Sequence, residues 1–151
     1  MKNLLLLALL GLTLAITACD KKTETTTTSE KSEAVSMQDV PGPGKVMNMS
    51  AKELNQWFQR PELKFTVLDV RTPQEFATGS LPGAVNVDFL TEDFKAQADK
   101  LDKDATWVVV CQVGRRSASA AEQLAGLGFR QIWALDGGLD AWSAAGYPLA
   151  K

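Results

Sequence analysis

One stretch constrains this chain more than any other: Trp107-Val108-Val109-Val110, then Cys111-Gln112-Val113-Gly114-Arg115-Arg116, then the Ala-rich run from Ser117 to Leu124. The β-branched run, entered from the polar pair Lys103-Asp104, predicts a fully buried strand, and the Ala-rich run predicts a helix. A cysteine therefore sits where a strand ends and a helix begins. The first amides of a helix lack intrahelical acceptors and carry the positive end of its dipole, so an anion placed there is stabilised. Gly114 can take positive φ, which lets the loop curl until successive N–H groups converge on one point. The Cys111 sulfur would lie at the floor of that nest, favoured as an anion, and the Ser117 hydroxyl is positioned by sequence to cap the helix.

The sequence contains no histidine. Ser-His-Asp and Cys-His catalysis are therefore excluded, as are His-ligated metal sites, and a nucleophilic Cys111 must be activated by backbone dipoles and arginines. With two cysteines, Cys19 and Cys111, and no C-x-x-C spacing, a thioredoxin-type dithiol and a zinc cluster are excluded too, while a disulfide between the two stays open. At 151 residues and 45% hydrophobic content the chain can bury one core. A formal charge of -2 gives no reason to expect nucleic acid as partner.

Residues 1–18 carry Lys2, an apolar run from Leu4 to Ile16, and the small pair Thr17-Ala18, the plan of a secretory signal peptide. The alternative, a buried core helix, has nothing to pack into, because a polar tract follows. Ile16-Thr17-Ala18-Cys19 resembles the lipobox of bacterial lipoproteins, which implies cleavage before Cys19 and acylation of its sulfur and amine. Several acyl chains, at about 0.8 kcal/mol per buried methylene, anchor a protein to a membrane where one does not. In that family an Asp after the lipidated Cys, here Asp20, implies retention at the periplasmic face of the inner membrane in a Gram-negative host. Residues 19–44, rich in Thr, Ser, Lys and Glu and ending Pro41-Gly42-Pro43-Gly44, can bury almost nothing and read as a tether. A flexible chain of that length spans on the order of 25–30 Å.

From Lys45 onward strands and helices alternate at short spacing. Val46–Met49 reads as a strand, and Ser50-Ala51-Lys52-Glu53 as a capping box opening a helix to about Gln59, stopped by Pro61. Phe65–Val70 reads as a buried strand, and Thr72-Pro73-Gln74-Glu75 as a second capping box with Pro at the first helical position. Ala84–Val87 is a strand, Thr91–Leu101 a helix, Ile132–Leu135 a strand, and a last short helix runs through Trp142 to Ala145. The expected fold class is α/β, a small, mostly parallel sheet with helices on both faces. In such sheets ligands bind beyond the carboxyl ends of strands, where Cys111 falls.

Four ordered stretches resemble the single-domain rhodaneses across residues 45–151. Asp69-Val70-Arg71-Thr72-Pro73-Gln74-Glu75-Phe76 with Gly79-Ser80-Leu81-Pro82-Gly83-Ala84-Val85-Asn86 is similar to the family's D-V-R-x-x-x-E-[FY]-x-x-G-H-I-P-G-A-x-N. Cys111 to Ser117 matches C-x-x-G-x-R-S, and Leu135-Asp136-Gly137-Gly138, Ala141-Trp142 and Ala145 to Leu149 match the family's C-terminal end. Ser80 departs from the pattern, standing where many members have His. The resemblance implies a sulfurtransferase. Cys111 would take the outer sulfur of a small anionic donor such as thiosulfate, hold it as a persulfide, and pass it to a thiol or cyanide acceptor. Both steps are displacements at sulfur, so no proton-transfer residue is required, no cofactor and no metal.

On that reading the loop amides from Gln112 to Ser117, Val113 included, stabilise the anionic sulfur. Gln112 and Arg115 meet the donor at the mouth, with Arg115 otherwise a solvated charge. Arg116 reaches the anion or forms a salt bridge. Asp69 and Arg71 brace the loop. A monomer is expected. Two other functions compete: a non-catalytic docking module, and a cysteine phosphatase of related fold. The phosphatase needs C-x5-R, a loop one residue longer to admit a phosphate. Here position six after Cys111 is Ser117 and the arginine comes at five.

Overall fold

A computed structural model describes residues 44–151. The expected signal peptide at 1–18, the expected lipidation site Cys19 and all of the expected tether but Gly44 lie outside the described residues. Five strands form one sheet: β1 (Val46–Met49), β2 (Thr66–Asp69), β3 (Val85–Asn86), β4 (Thr106–Val110) and β5 (Gln131–Leu135). Their order is β1-β5-β4-β2-β3 and every pairing is parallel. Among the described residues the one antiparallel contact is an isolated bridge between Ser80 and Ala150. β4 is the middle strand, with Asp69 of β2 opposite Val110 on one side and Ala134 of β5 opposite Val109 on the other. All five of its residues are buried, as a strand covered on both faces requires.

The two faces carry separate cores, divided by the alternation of side chains along the strands. Val108 and Val110 point to one face, where Leu54 and Trp57 of α1 (Ala51–Phe58) meet Leu139 and Trp142 of the C-terminal helix. Val109 and Cys111 point to the other, against Ala120, Ala121 and Leu124 of the helix after β4 and Phe94 and Ala98 of the short helix Phe94–Ala98. Numbered in chain order, the helices are α1, α2 (Pro73–Phe76), α3 (Phe94–Ala98), α4 (Arg115–Gly126) and α5 (Gly138–Ala144).

Both expected capping boxes form, with Ser50 and Glu53 bonding each other's backbone N–H at the start of α1, and Thr72 and Glu75 doing so at α2. Two elements, β3 and α3, are clearly shorter than their sequence patterns. β3 keeps two residues because it has a single neighbour, β2, and Val87 bonds on to the Asp69 carbonyl beyond it. α3 keeps five because Thr91 to Asp93 form a turn, with no side chain capping the helix start. α2 is a single turn. A correction concerns the helix after Cys111, which begins at Arg115, two residues before Ser117. Gly114 is its N-cap, at φ 88°, and Ser117 sits inside the first turn with its hydroxyl donating to the Gly114 carbonyl at 2.9 Å. The left-handed glycine turns the chain into the helix without needing a side-chain cap.

Candidate active site

β4 delivers Cys111 to the carboxyl edge of the sheet, and the residue is fully buried. The Ser117 backbone N–H points at its sulfur, 3.3 Å away, and the thiol donates to Ser117 Oγ at 3.6 Å. Of the loop amides from Gln112 to Ser117, that of Ser117 is the one at hydrogen-bond distance from Sγ. Arg115 and Arg116 open α4, so their N–H groups have no intrahelical acceptor and stay available to an anion.

The loop is clamped from two sides. From α5, the Leu139 N–H donates to the Cys111 carbonyl at 2.9 Å and the Asp140 N–H to the Gln112 carbonyl at 3.0 Å. This approach is so close that a Cβ on Gly138 would stand 2.3 Å from the Cys111 oxygen, and Gly138 also holds φ 60°. Gly114 packs in the same way, since a Cβ there would come within 3.1 Å of the Gly137 nitrogen.

From β2, Asp69 and Arg71 supply the second brace. Asp69 is fully buried and its carboxylate takes Arg71 Nε at 3.1 Å and Nη2 at 2.8 Å. Arg71 then gives Nη1 to Gln112 Oε1 at 3.1 Å and Nη2 to the Gly79 carbonyl at 2.7 Å. Ser80, at the position where the resemblance expects His, donates its hydroxyl to the same Asp69 carboxylate at 2.6 Å. Asn86 closes the arrangement by donating to the backbone carbonyls of Asp69 and Arg71. Every polar end of this buried pair is therefore occupied, the condition for burying two charges without a large penalty.

One expectation needs correction. Gln112 does not stand free at the mouth: its oxygen is held by Arg71 and its amide nitrogen donates to Asp140 of α5, so the side chain is a strap between two elements. Of the two roles open to Arg116, the anion contact and the salt bridge, the structure has the salt bridge: a two-pronged ion pair with Glu75 of α2, at 2.8 and 2.6 Å. The Arg116 hydrogen bonds hold the Glu75 carboxyl at about 2, well below its ordinary 4.5, and Glu75 in turn raises the Arg116 guanidinium. Arg115 is exposed, as is Val113 at the loop's tip.

Glu75, Ser80, Gly138 and Asp140 contribute to the site without being singled out for it by sequence. Glu75 was visible as a capping-box residue, and the same carboxylate performs both jobs. Asp140 carried no signal, because an acidic residue in a first helical turn is ordinary.

The family model for the rhodanese-like domain matches residues 50–145, from the cap of α1 to the end of α5. The chain belongs to the rhodanese-like domain family. Over 79 residues it is 43% identical to the thiosulfate sulfurtransferase GlpE of Ectopseudomonas mendocina, covering 52% of this chain and 70% of that protein. Over 83 residues it is 43% identical to the GlpE of Pseudomonas putida, covering 54% and 72%. The crystal structure of a rhodanese-related protein from Thermoplasma volcanium superposes with a TM-score of 0.60 at 31% identity, over 69% of this chain and 97% of the other. The expected α/β rhodanese fold is thereby established, with a sheet that is parallel throughout.

Proposed function

We propose that this rhodanese-like domain is a thiosulfate sulfurtransferase working through a Cys111 persulfide. The observation that carries the reading is the Cys111 sulfur lodged against the first-turn amide of α4, in a loop whose backbone is clamped by α5 and by the Asp69–Arg71 pair. The GlpE likeness supplies the donor class. In the first step the Cys111 thiolate attacks the outer sulfur of thiosulfate, an S–S bond forms to Cys111, and the old S–S bond breaks with sulfite leaving on its electron pair. In the second, cyanide or a thiolate attacks the outer sulfur of the persulfide and Cys111 leaves as the thiolate. The two-electron change is contained between donor and acceptor, so no outside oxidant or reductant is needed and no proton must be moved by a side chain.

The Arg115 and Arg116 amides serve the outer sulfur of the persulfide, which extends beyond the reach of the Ser117 amide. Arg115 attracts the anionic donor from solvent. The pairing of Arg116 with Glu75 weighs against a phosphatase, which needs that kind of arginine over the ligand. A pure docking module would have no use for a sulfur buried at a helix N-terminus behind a fully bonded brace.

Cys19 and the tether complete the reading: acyl chains on Cys19 hold a monomeric domain at a membrane surface, on the periplasmic face of the inner membrane in a Gram-negative host. Thiocyanate formation from thiosulfate and cyanide tests the chemistry. Cys111→Ser abolishes it, and Arg115→Gln raises the KM for thiosulfate about fivefold with kcat within twofold, the size of one exposed charge contact. Thiocyanate formation by Cys111→Ser at the wild-type rate overturns the proposal. Fractionation tests the anchor: Cys19→Ser moves the protein from membrane to soluble fraction.

A further inference from the structure

The least explained atom at the site is Ser117 Oγ. Ser117 is fully buried, its N–H is committed to the Cys111 sulfur, and its hydroxyl lies between that sulfur at 3.6 Å and the Gly114 carbonyl at 2.9 Å. A hydroxyl has one proton and two lone pairs. Here the proton goes to Gly114 and a lone pair faces Sγ, an arrangement that suits a thiol, which donates.

An anionic sulfur has no proton to offer, and a lone pair aimed at it is repulsive. Turning the O–H about the Cβ–Oγ bond replaces that repulsion with a donor, and no heavy atom moves. The Gly114 carbonyl is not stranded by the turn, because the Ala118 N–H also donates to it at 3.1 Å as the first bond of α4. A rotor with two satisfied positions, one for each charge state of its neighbour, is thus built into the first turn of the helix.

We propose that the Ser117 hydroxyl is a two-position partner of the reacting sulfur, accepting from the Cys111 thiol and donating to the thiolate and to the persulfide anion. The persulfide half of this inference rests on the sulfurtransferase reading; the thiolate half does not. When the thiol ionises, its proton passes to solvent base and the Ser117 O–H swings from Gly114 to Sγ. When the acceptor removes the outer sulfur, the thiolate that leaves is received by a hydrogen bond already in place. Ser117 is then a catalytic residue in its own right, touching the atom that gains and loses the sulfur, and the pairing of a backbone and a side-chain donor from one residue substitutes for the imidazole this sequence lacks.

The charged groups on the elements around the loop are engaged with one another and are the same in every variant needed. Asp69 pairs with Arg71 at the end of β2, Glu75 of α2 with Arg116 of α4, and Asp140 of α5 takes Gln112, while Arg115 is exposed. A change in the thiolate's behaviour on altering Ser117 is therefore read against a constant background.

Thiolate ultraviolet absorbance of the full chain, followed against pH with Cys111→Ser as the blank, tests the proposal without any need for a donor to reach the sulfur. Ser117→Ala keeps the backbone N–H and the helix but removes the rotor. It is expected to move the rise in thiolate absorbance to higher pH by about one unit, a tenfold smaller thiolate fraction below the midpoint, which is the scale of one hydrogen bond to a charged group. Ser117→Thr restores the hydroxyl and returns the curve to within a few tenths of a unit of wild type. A Ser117→Ala curve that superimposes on wild type, or a displacement that Ser117→Thr leaves in place, overturns the proposal. The displacement appearing in a protein that takes no sulfur from thiosulfate counts against the transferase reading and against the persulfide half, with the thiolate half upheld.

Discussion

Two residues, Asp69 and Arg71, are committed to each other in a dry site beside the Cys111 loop. Both are buried, and the aspartate receives two guanidinium nitrogens, the Arg71 backbone N–H and the Ser80 hydroxyl. Removing one member of such a pair costs more than the pair contributes, since the other charge stays behind in a dry site. Asp69→Ala is expected to lower unfolding stability by about 3–5 kcal/mol, read from urea midpoints with an unchanged slope. The variant also releases Gln112, whose oxygen loses its fixed donor, so sulfur transfer falls further than folding alone accounts for. Stability within about 1 kcal/mol of wild type would show that solvent reaches the pair. The role of these residues as a brace was readable from the family resemblance. Gln112's was not, because its two partners lie 41 residues upstream and 28 downstream, and no local pattern encodes such meetings.

At the scale of elements, α2 and α4 are joined by one two-pronged contact between Glu75 and Arg116. The folded-state Glu75 carboxyl is held at about 2 against an ordinary 4.5, so its contribution to stability is fully present above about pH 4.5 and disappears as pH falls toward 2. The stability difference between wild type and Glu75→Gln is expected to be constant from pH 7 to about 5 and to shrink below that. Its size is on the order of 1 kcal/mol, since the side chains are about one-third and one-quarter exposed and solvent screens them. A difference that grows on acidification contradicts the pairing. Elements with local signals were legible in the sequence: the two capping boxes, the β-branched β4, and Gly114 at positive φ. The start of α4 was misread because Ser117 is a good cap residue by type, while the turn was made by a glycine that needs no cap. β3 was overextended because Val87 continues the apolar pattern past the last residue paired with β2, and α3 because Thr91 to Asp93 are helix-start residue types that here form a turn with no side-chain cap.

For the whole molecule, the arrangement of a parallel sheet between two cores places five strand-to-helix loops at one edge, and three of them meet at the Cys111 loop: the β2–α2 turn with Arg71, the Cys loop itself, and the β5–α5 turn with Gly138. Convergence from separate parts of the chain makes the site a property of the entire fold. Strand alternation and loop composition made the parallel sheet and the position of Cys111 legible. The clamp of α5 on the loop carbonyls was not, since Gly137-Gly138 reads equally well as a plain turn. The fold as a whole makes one buried sulfur a carrier of another, and intact-mass measurement of the full protein after thiosulfate treatment and removal of excess donor reads that transfer atom by atom. Wild type is expected to gain one sulfur atom, localised by fragmentation to Cys111 and discharged by cyanide. No gain in wild type, or an equal gain in Cys111→Ser, would contradict it.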